Sequence, residues 1–180
     1  QSVVWRPTSG TIHTMPVGAN EAAQDSFIAS VPNGTVTNPS IIVFPAGNTW
    51  TRANSINLPS GRNHIIFWGY GAKINNTRTS TSGNNTRDAI IKFSGESSPV
   101  HHIKLLGFEI AGSHVNAGTS NAYGYDNGIG IVLSGTTQDI EVADNHVHHT
   151  FSDSFEIYGD ESELQHALRI NLHHNLLAYA

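Results

Sequence analysis

The sequence predicts an all-β fold, a parallel β-solenoid of about four coils entered through one helix. Three observations carry that prediction. After residue 40 the chain reads as short β-prone runs between Gly, Asn and Ser turns. Two kinds of run alternate and recur, as stacked coils require. Lys, Glu and Leu are scarce, which argues against a helical bundle. An all-β sandwich is the competing architecture, but it has no need of register-matched copies.

Residues 1–18 read as an N-terminal extension and residues 19–180 as the solenoid domain, with a helix over 19–32 and coils over 41–180. In "ANEAAQDSFIASVP", Ala23, Phe27, Ile28 and Val31 fall on one face at helical spacing, and Pro32-Asn33-Gly34 stops the helix. The first strand type is "AIIKFSG" (89–95), "IGIVLSG" (129–135) and "SFEIYG" (154–159), with "SINLPSG" (55–61) as a fainter copy. The second is "HIIFWGYGAKI" (64–74), "HIKLLGFEI" (102–110), "DIEVADNHV" (139–147) and "LRINLHHNLL" (168–177). Anchored on Ile65, Ile103, Ile140 and Ile170, the steps are 38, 37 and 30 residues. Coils stacked at strand spacing, roughly 4.8 Å, turn equivalent residues into ladders. Ile91, Ile131 and Phe155 then stack inward, as do Phe93, Leu133 and Ile157, and likewise Leu105, Val142 and Leu172. Five residues after the anchors stand Tyr70, Phe108, Asn145 and Asn175, which puts an Asn on an Asn at a bend. Stacked amides there satisfy each other and the turn backbone.

The stretch "FIASVPNGT…IIVFPAGNTW…INLPSGRNHIIFWGYGAKI" resembles the N-terminal region of the pectate-lyase-like superfamily, with Pro45-Ala46-Gly47 and Gly69-Tyr70-Gly71-Ala72 as its strand and turn motifs. The resemblance runs over residues 19–180 and is nearest to β-helix proteins of actinobacteria and tail proteins of their phages. It implies a right-handed, single-stranded parallel β-helix whose open N-terminal end is capped by the amphipathic helix. The chain closes on "LLAYA", an apolar strand with no capping element behind it, so further coils or a covering subunit are expected. Tyr123-Gly124-Tyr125-Asp126 is similar to the Y-G-F-D-P-H motif of alginate epimerases, with Asn127-Gly128 in place of Pro-His. The pectate lyase W-I-D-H and polygalacturonase N-T-D, G-H-G and R-I-K motifs have no counterpart.

Composition narrows the partners. Eight of the nine Lys and Arg precede Leu105, while eight of the fourteen acids lie between Asp139 and Glu163. The second half therefore lacks the basic face that nucleic acid demands. No apolar run is long enough to span a membrane. There is no cysteine, hence no thiolate metal site. The His clusters at 101–102, at 146, 148 and 149, and at 173–174 fall in different registers relative to the anchors, which predicts turn histidines facing solvent and no metal cage. Glu109 takes the register of His146 one coil earlier, so a Glu–His pair that raises the histidine pKa is expected there. No cofactor is implied, and no specific motif supports Ca2+.

The longest irregular insertion, "SHVNAGTSNAYGYDN" (113–127), has 15 residues, and loops of that length in compact folds often carry function. Tyr123 and Tyr125 offer aromatic faces for sugar rings, and Asp126 offers a carboxylate. Asp153 precedes the corresponding strand of the next coil, and Glu156 points outward in the row of Lys92 and Val132. Two carboxylates flanking a groove are what glycosidases use. Asp126, Asp153 and Glu156 are therefore the candidate catalytic residues, with Tyr123, Tyr125, His146, His148 and Lys92 as candidate substrate contacts. The plainer alternative is that Asp and Asn here serve turns. The expected protein is a secreted or virion-surface module that binds polysaccharide along a lateral groove, with cleavage by a glycosidase or lyase reaction left open. The alternative is a non-catalytic phage tail or receptor-binding component, a stiff rod expected as a homotrimer.

Overall fold

Every strand pairing among the described residues is parallel. The computed structural model of the chain describes residues 7–77, 88–113, 127–150, 153–159 and 166–178. In chain order the elements are β1 (Thr11–Thr14), α1 (Glu21–Ser30), β2 (Ser40–Val43), β3 (Thr49–Arg52), β4 (Ile56–Leu58), β5 (Asn63–Trp68) and β6 (Lys73–Asn76). They continue with β7 (Asp88–Leu106), β8 (Glu109–Ala111), β9 (Asn127–Ala143), β10 (His146–His148), β11 (Phe155–Tyr158), β12 (Ala167–His173) and β13 (Leu176–Ala178).

The pairings form three ladders. The first joins β4, the front of β7, the front of β9 and β11. The second joins β1, β2, β5, the back of β7, the back of β9 and β12. The third joins β3, β6, β8, β10 and β13. Ile65, Ile103, Ile140 and Ile170 stand in one column, as their spacing predicts. The column extends upstream through Ser40 to Thr11, so part of the N-terminal extension joins the ladder.

Side chains alternate across a strand, so every second residue points inward. The inward set is apolar on all three ladders: Ile91 and Phe93 on the first, Ile103 and Leu105 on the second, Ile74 and Ile110 on the third, all within one buried cluster. Each such side chain contributes about 1.5–3 kcal/mol on burial. In the last rung the equivalent Ile157, Leu172 and Leu177 are exposed.

The second strand type bends where the Asn register predicts. It splits at a corner into second-ladder and third-ladder strands, because Gly107, Asp144 and His174 take left-handed backbone (φ 77°, 58° and 54°). Asn145 and Asn175 stand directly after that bend and are hydrogen-bonded to each other (3.1 Å), the Asn ladder expected from their spacing. The other corner is tight. A Cβ added to Gly95 would run into the Thr136 carbonyl, and Gly135 takes φ 68°. Only glycine fits both demands there.

The helix is shorter than the expected 19–32. Asn20 caps it, its side chain accepting from the Ala23 N–H at 3.0 Å. Ile28 and Val31 are buried as expected, but Ala23 is exposed and Gln24 is buried in its place. The reason is polar. Gln24 accepts from Arg52 at 3.0 Å, and the fully buried Arg52 guanidinium also binds Asp25 at 2.7 Å and the Ser55 carbonyl at 2.9 Å. Arg62 reaches the helix's last carbonyls, donating to Val31 at 2.5 Å. Among the described residues no helix is long and apolar enough to cross a membrane.

Candidate functional site

Each rung turns a corner just before its second-ladder strand, and from the third rung on the corner residue is left-handed. His64, His102, Asp139 and Arg169 have φ of 53°, 55°, 52° and 54°. Non-glycine residues seldom sit there, at a cost on the order of 1 kcal/mol each. Repeated at one register, the conformation stacks four polar side chains into one strip of outer surface. Two positions further along stands the outward column Ile66, Lys104, Glu141 and Asn171. The two columns line a cleft of about 480 Å³, with Val36 and Pro39 also in its wall. That volume is in the range of small-ligand sites.

The strip is electrostatically fixed. Arg169 holds Asp139 through two parallel hydrogen bonds of 2.5 and 2.8 Å, and His102 Nε2 lies 3.7 Å from the same carboxylate. The Arg169 guanidinium holds the Asp139 carboxyl below its ordinary value, outweighing the opposing effect of burial. Glu141 takes Lys104 at 2.6 Å on one side and His173 at 3.1 Å on the other. Burial alone would raise its carboxyl, but those two donors bring it below the usual range. His64 and His101 are pushed down, first by burial and then by neighbouring histidines. At neutral pH the strip thus offers carboxylates, cations and the neutral His64 imidazole side by side, a set suited to hydroxyl-rich ligands.

An aromatic pair stands at the end of β5. Trp68 and Tyr70 pack with ring centroids 4.8 Å apart. The Tyr70 ring passes over Gly107, where a Cβ would strike it, and its hydroxyl donates to Asp144 at 2.5 Å. Burial first, and then that bond, push the Tyr70 phenol well above its ordinary value.

The residues singled out from sequence are spread over different ladders. Lys92 and Glu156 share an outward column of the first ladder with Val132 between them, hence roughly 10 Å apart at two strand spacings. Asp153 is exposed just before β11. His146 and His148 lie on the third ladder. Tyr123, Tyr125 and Asp126 lie outside the described residues. The five described candidates therefore occupy two ladders and are not brought to one point.

The expected Glu109–His146 pair needs correction. The two are register partners, but Glu109 Oε1 contacts His148 Nε2 at 3.3 Å and Lys73 Nζ at 2.7 Å. His148 is shifted down, not up, because burial together with His146 and His149 outweighs the carboxylate. Sequence reasoning also passes over His64, His102, Asp139, Glu141 and Arg169. The signal that finds them is register, since each stands one position before or after an anchor isoleucine. Comparison of the chain with protein families, curated proteins and solved structures found no match.

Proposed function

We propose that the chain is a right-handed parallel β-helix of the pectate-lyase-like kind, acting outside the cell or on a virion surface, that holds a polysaccharide along its flank. The observation that carries this reading is the in-register polar strip on the second ladder, His64 to Arg169 and Ile66 to Asn171, lining the 480 Å³ cleft. A polymer with a repeating hydroxyl pattern matches a surface whose donors and acceptors repeat at strand spacing. Trp68 and Tyr70 add apolar faces of the sort that pack on sugar rings. Cleavage is the extension of this reading. It would be a separate activity on the flank of Glu156 and Lys92 rather than at the strip, with Asp153 and, from their place in the sequence, Asp126, Tyr123 and Tyr125 as partners.

The test is retention on a panel of cell-wall and capsular polysaccharides, read by affinity electrophoresis, with release of reducing or unsaturated ends followed in parallel. Retention on one glycan, weakened by Lys104→Ala with Glu141→Ala, supports binding at the strip. Turnover lost in Asp153→Asn or Glu156→Gln while retention persists supports cleavage. Absence of retention across the panel overturns the reading. The rigid, all-parallel ladders favour a second reading as a tail component, whose signature is a trimeric mass in light scattering without glycan retention.

A further inference from the structure

His64, His101 and His102 come from two neighbouring rungs, and each offers a ring nitrogen within 4.8 Å of the other two. Among the described residues this is the one group of three His, Asp or Glu side chains so placed. We propose that these three histidines bind a borderline-soft divalent transition-metal ion of the Zn2+ class, a site that the sequence reading did not expect. His64 carries the argument furthest. Its Nδ1 lies 2.9 Å from Asn63 Oδ1, which accepts its proton and so leaves Nε2 as the atom with the lone pair. That Nε2 is buried and has no hydrogen-bond partner. A buried acceptor without a donor is costly, and a cation satisfies it.

The other two ligands are prepared in a different way. The left-handed backbone of His102 folds its ring back beside that of His101, so their Nδ1 atoms stand 2.8 Å apart. The same arrangement recurs at His173 and His174, also 2.8 Å apart, so a paired Nδ1 alone is a product of the corner. What sets the first pair apart is the third imidazole from the preceding rung, stacked on His102 with centroids 4.5 Å apart. Ligand nitrogens around a tetrahedral ion at about 2.0–2.1 Å are about 3.3 Å from one another. Rotation about the broad terminal torsion of partly exposed imidazoles closes the difference. The Asp139 carboxylate, 3.7 Å from His102 Nε2, stands close enough to take up that N–H once the ring binds through Nδ1. Three nitrogen ligands and no thiolate select against Ca2+ and Mg2+, which take oxygen.

The site borders the cleft, since His64 and His102 both line it. Three protein ligands would leave a fourth position for water or a ligand group, the pattern of a reactive rather than a purely structural ion.

The experiment uses the full chain, stripped with chelator and titrated with Zn2+ against a chromophoric competitor, and separately with Co2+ to read nitrogen coordination by visible absorption. One saturable equivalent is expected. His64→Asn, His101→Asn and His102→Asn should each weaken uptake about tenfold or more. Asn is chosen because it tolerates the left-handed backbone. The double substitution His173→Asn with His174→Asn, which alters a pair lacking the third imidazole, should leave uptake unchanged. Circular dichroism checks that each variant is folded, and loss of the Zn2+-induced rise in Tm gives a second readout for any variant with weakened folding. No saturable uptake, or uptake that survives all three single substitutions, or uptake lost equally in the control pair, overturns the proposal. Glycan retention plays no part in these readouts, so the site and the polysaccharide reading fail separately.

Discussion

Asn145 shows how much one side chain decides in this fold. It is 1% exposed and stands where the chain leaves the second ladder for the third. Its Oδ1 accepts from the Phe108 N–H at 3.0 Å, and its Nδ2 donates toward the carbonyls of Leu105 and Ala143 at 3.0 Å each. Asn175 repeats the motif one rung on, its Nδ2 donating to the Val142 carbonyl at 2.7 Å, but it is only half-buried. Removing the amide strands several buried backbone groups at about 1–3 kcal/mol each. Asn145→Ala should therefore cost about 3 kcal/mol in urea denaturation and Asn175→Ala about 1 kcal/mol, since water reaches the latter's partners. Equal losses would show that the amide stack does not govern the corner. This pair was legible in the sequence because two Asn residues stand at the same offset from their anchors. The histidine cluster was not, because His64 belongs to no His pair and converges only through the register of its rung.

Helix α1 is held to the ladders by ionic contacts as well as by its apolar face. Arg52, buried on β3, gathers Gln24 and Asp25, while Glu21 receives the N–H groups of Ala53 and Asn54 at 3.0 and 2.7 Å. Burial by itself would raise the Glu21 carboxyl above its ordinary 4.5, but those donors and Arg52 bring it below. A carboxyl depressed in the folded state stabilises above its unfolded pKa, and the gain is lost as the pH falls through the native value. Helix docking should thus weaken on acidification below about pH 4.5. Glu21→Gln should flatten that part of the stability–pH curve, measured by helical circular dichroism against urea at stepped pH. Arg52→Met should cost about 3 kcal/mol at neutral pH, because it strands the buried Gln24 amide and the Asn54 and Ser55 carbonyls without their donor. An unchanged acid limb in Glu21→Gln would assign the pH dependence elsewhere. The helix itself was legible from its 3.6-residue period, but the anchoring by Arg52 was not. Nothing local marks an arginine on a short strand as buried, and its partners lie 27 and 28 residues away.

Across the whole molecule, stability should grade along the stack, because each rung touches only the rungs above and below it. The anchor column was readable from isoleucine spacing. Its first two members were not, since Thr11 and Ser40 take the isoleucine position. The third ladder was hidden for another reason: its strands are only three or four residues long, too short for a period-2 pattern of their own, although the bends that lead into them were readable. The register therefore gives a prediction that apolar content does not. Ile103 is fully buried, with ladder partners on both sides, whereas Ile170 is half-buried and pairs with Ile140. Ile103→Ala should cost about 3–4 kcal/mol through lost burial and a cavity, and Ile170→Ala about 1 kcal/mol. Hydrogen exchange should follow the same order, with amides of 103–106 and 140–143 slowest and those of 176–178 fastest. A stack whose rungs unfold as one unit would instead exchange all these amides at a common rate. That outcome would mean that coupling between rungs exceeds the differences within them, and that nearest-neighbour contacts do not set the stability of this fold.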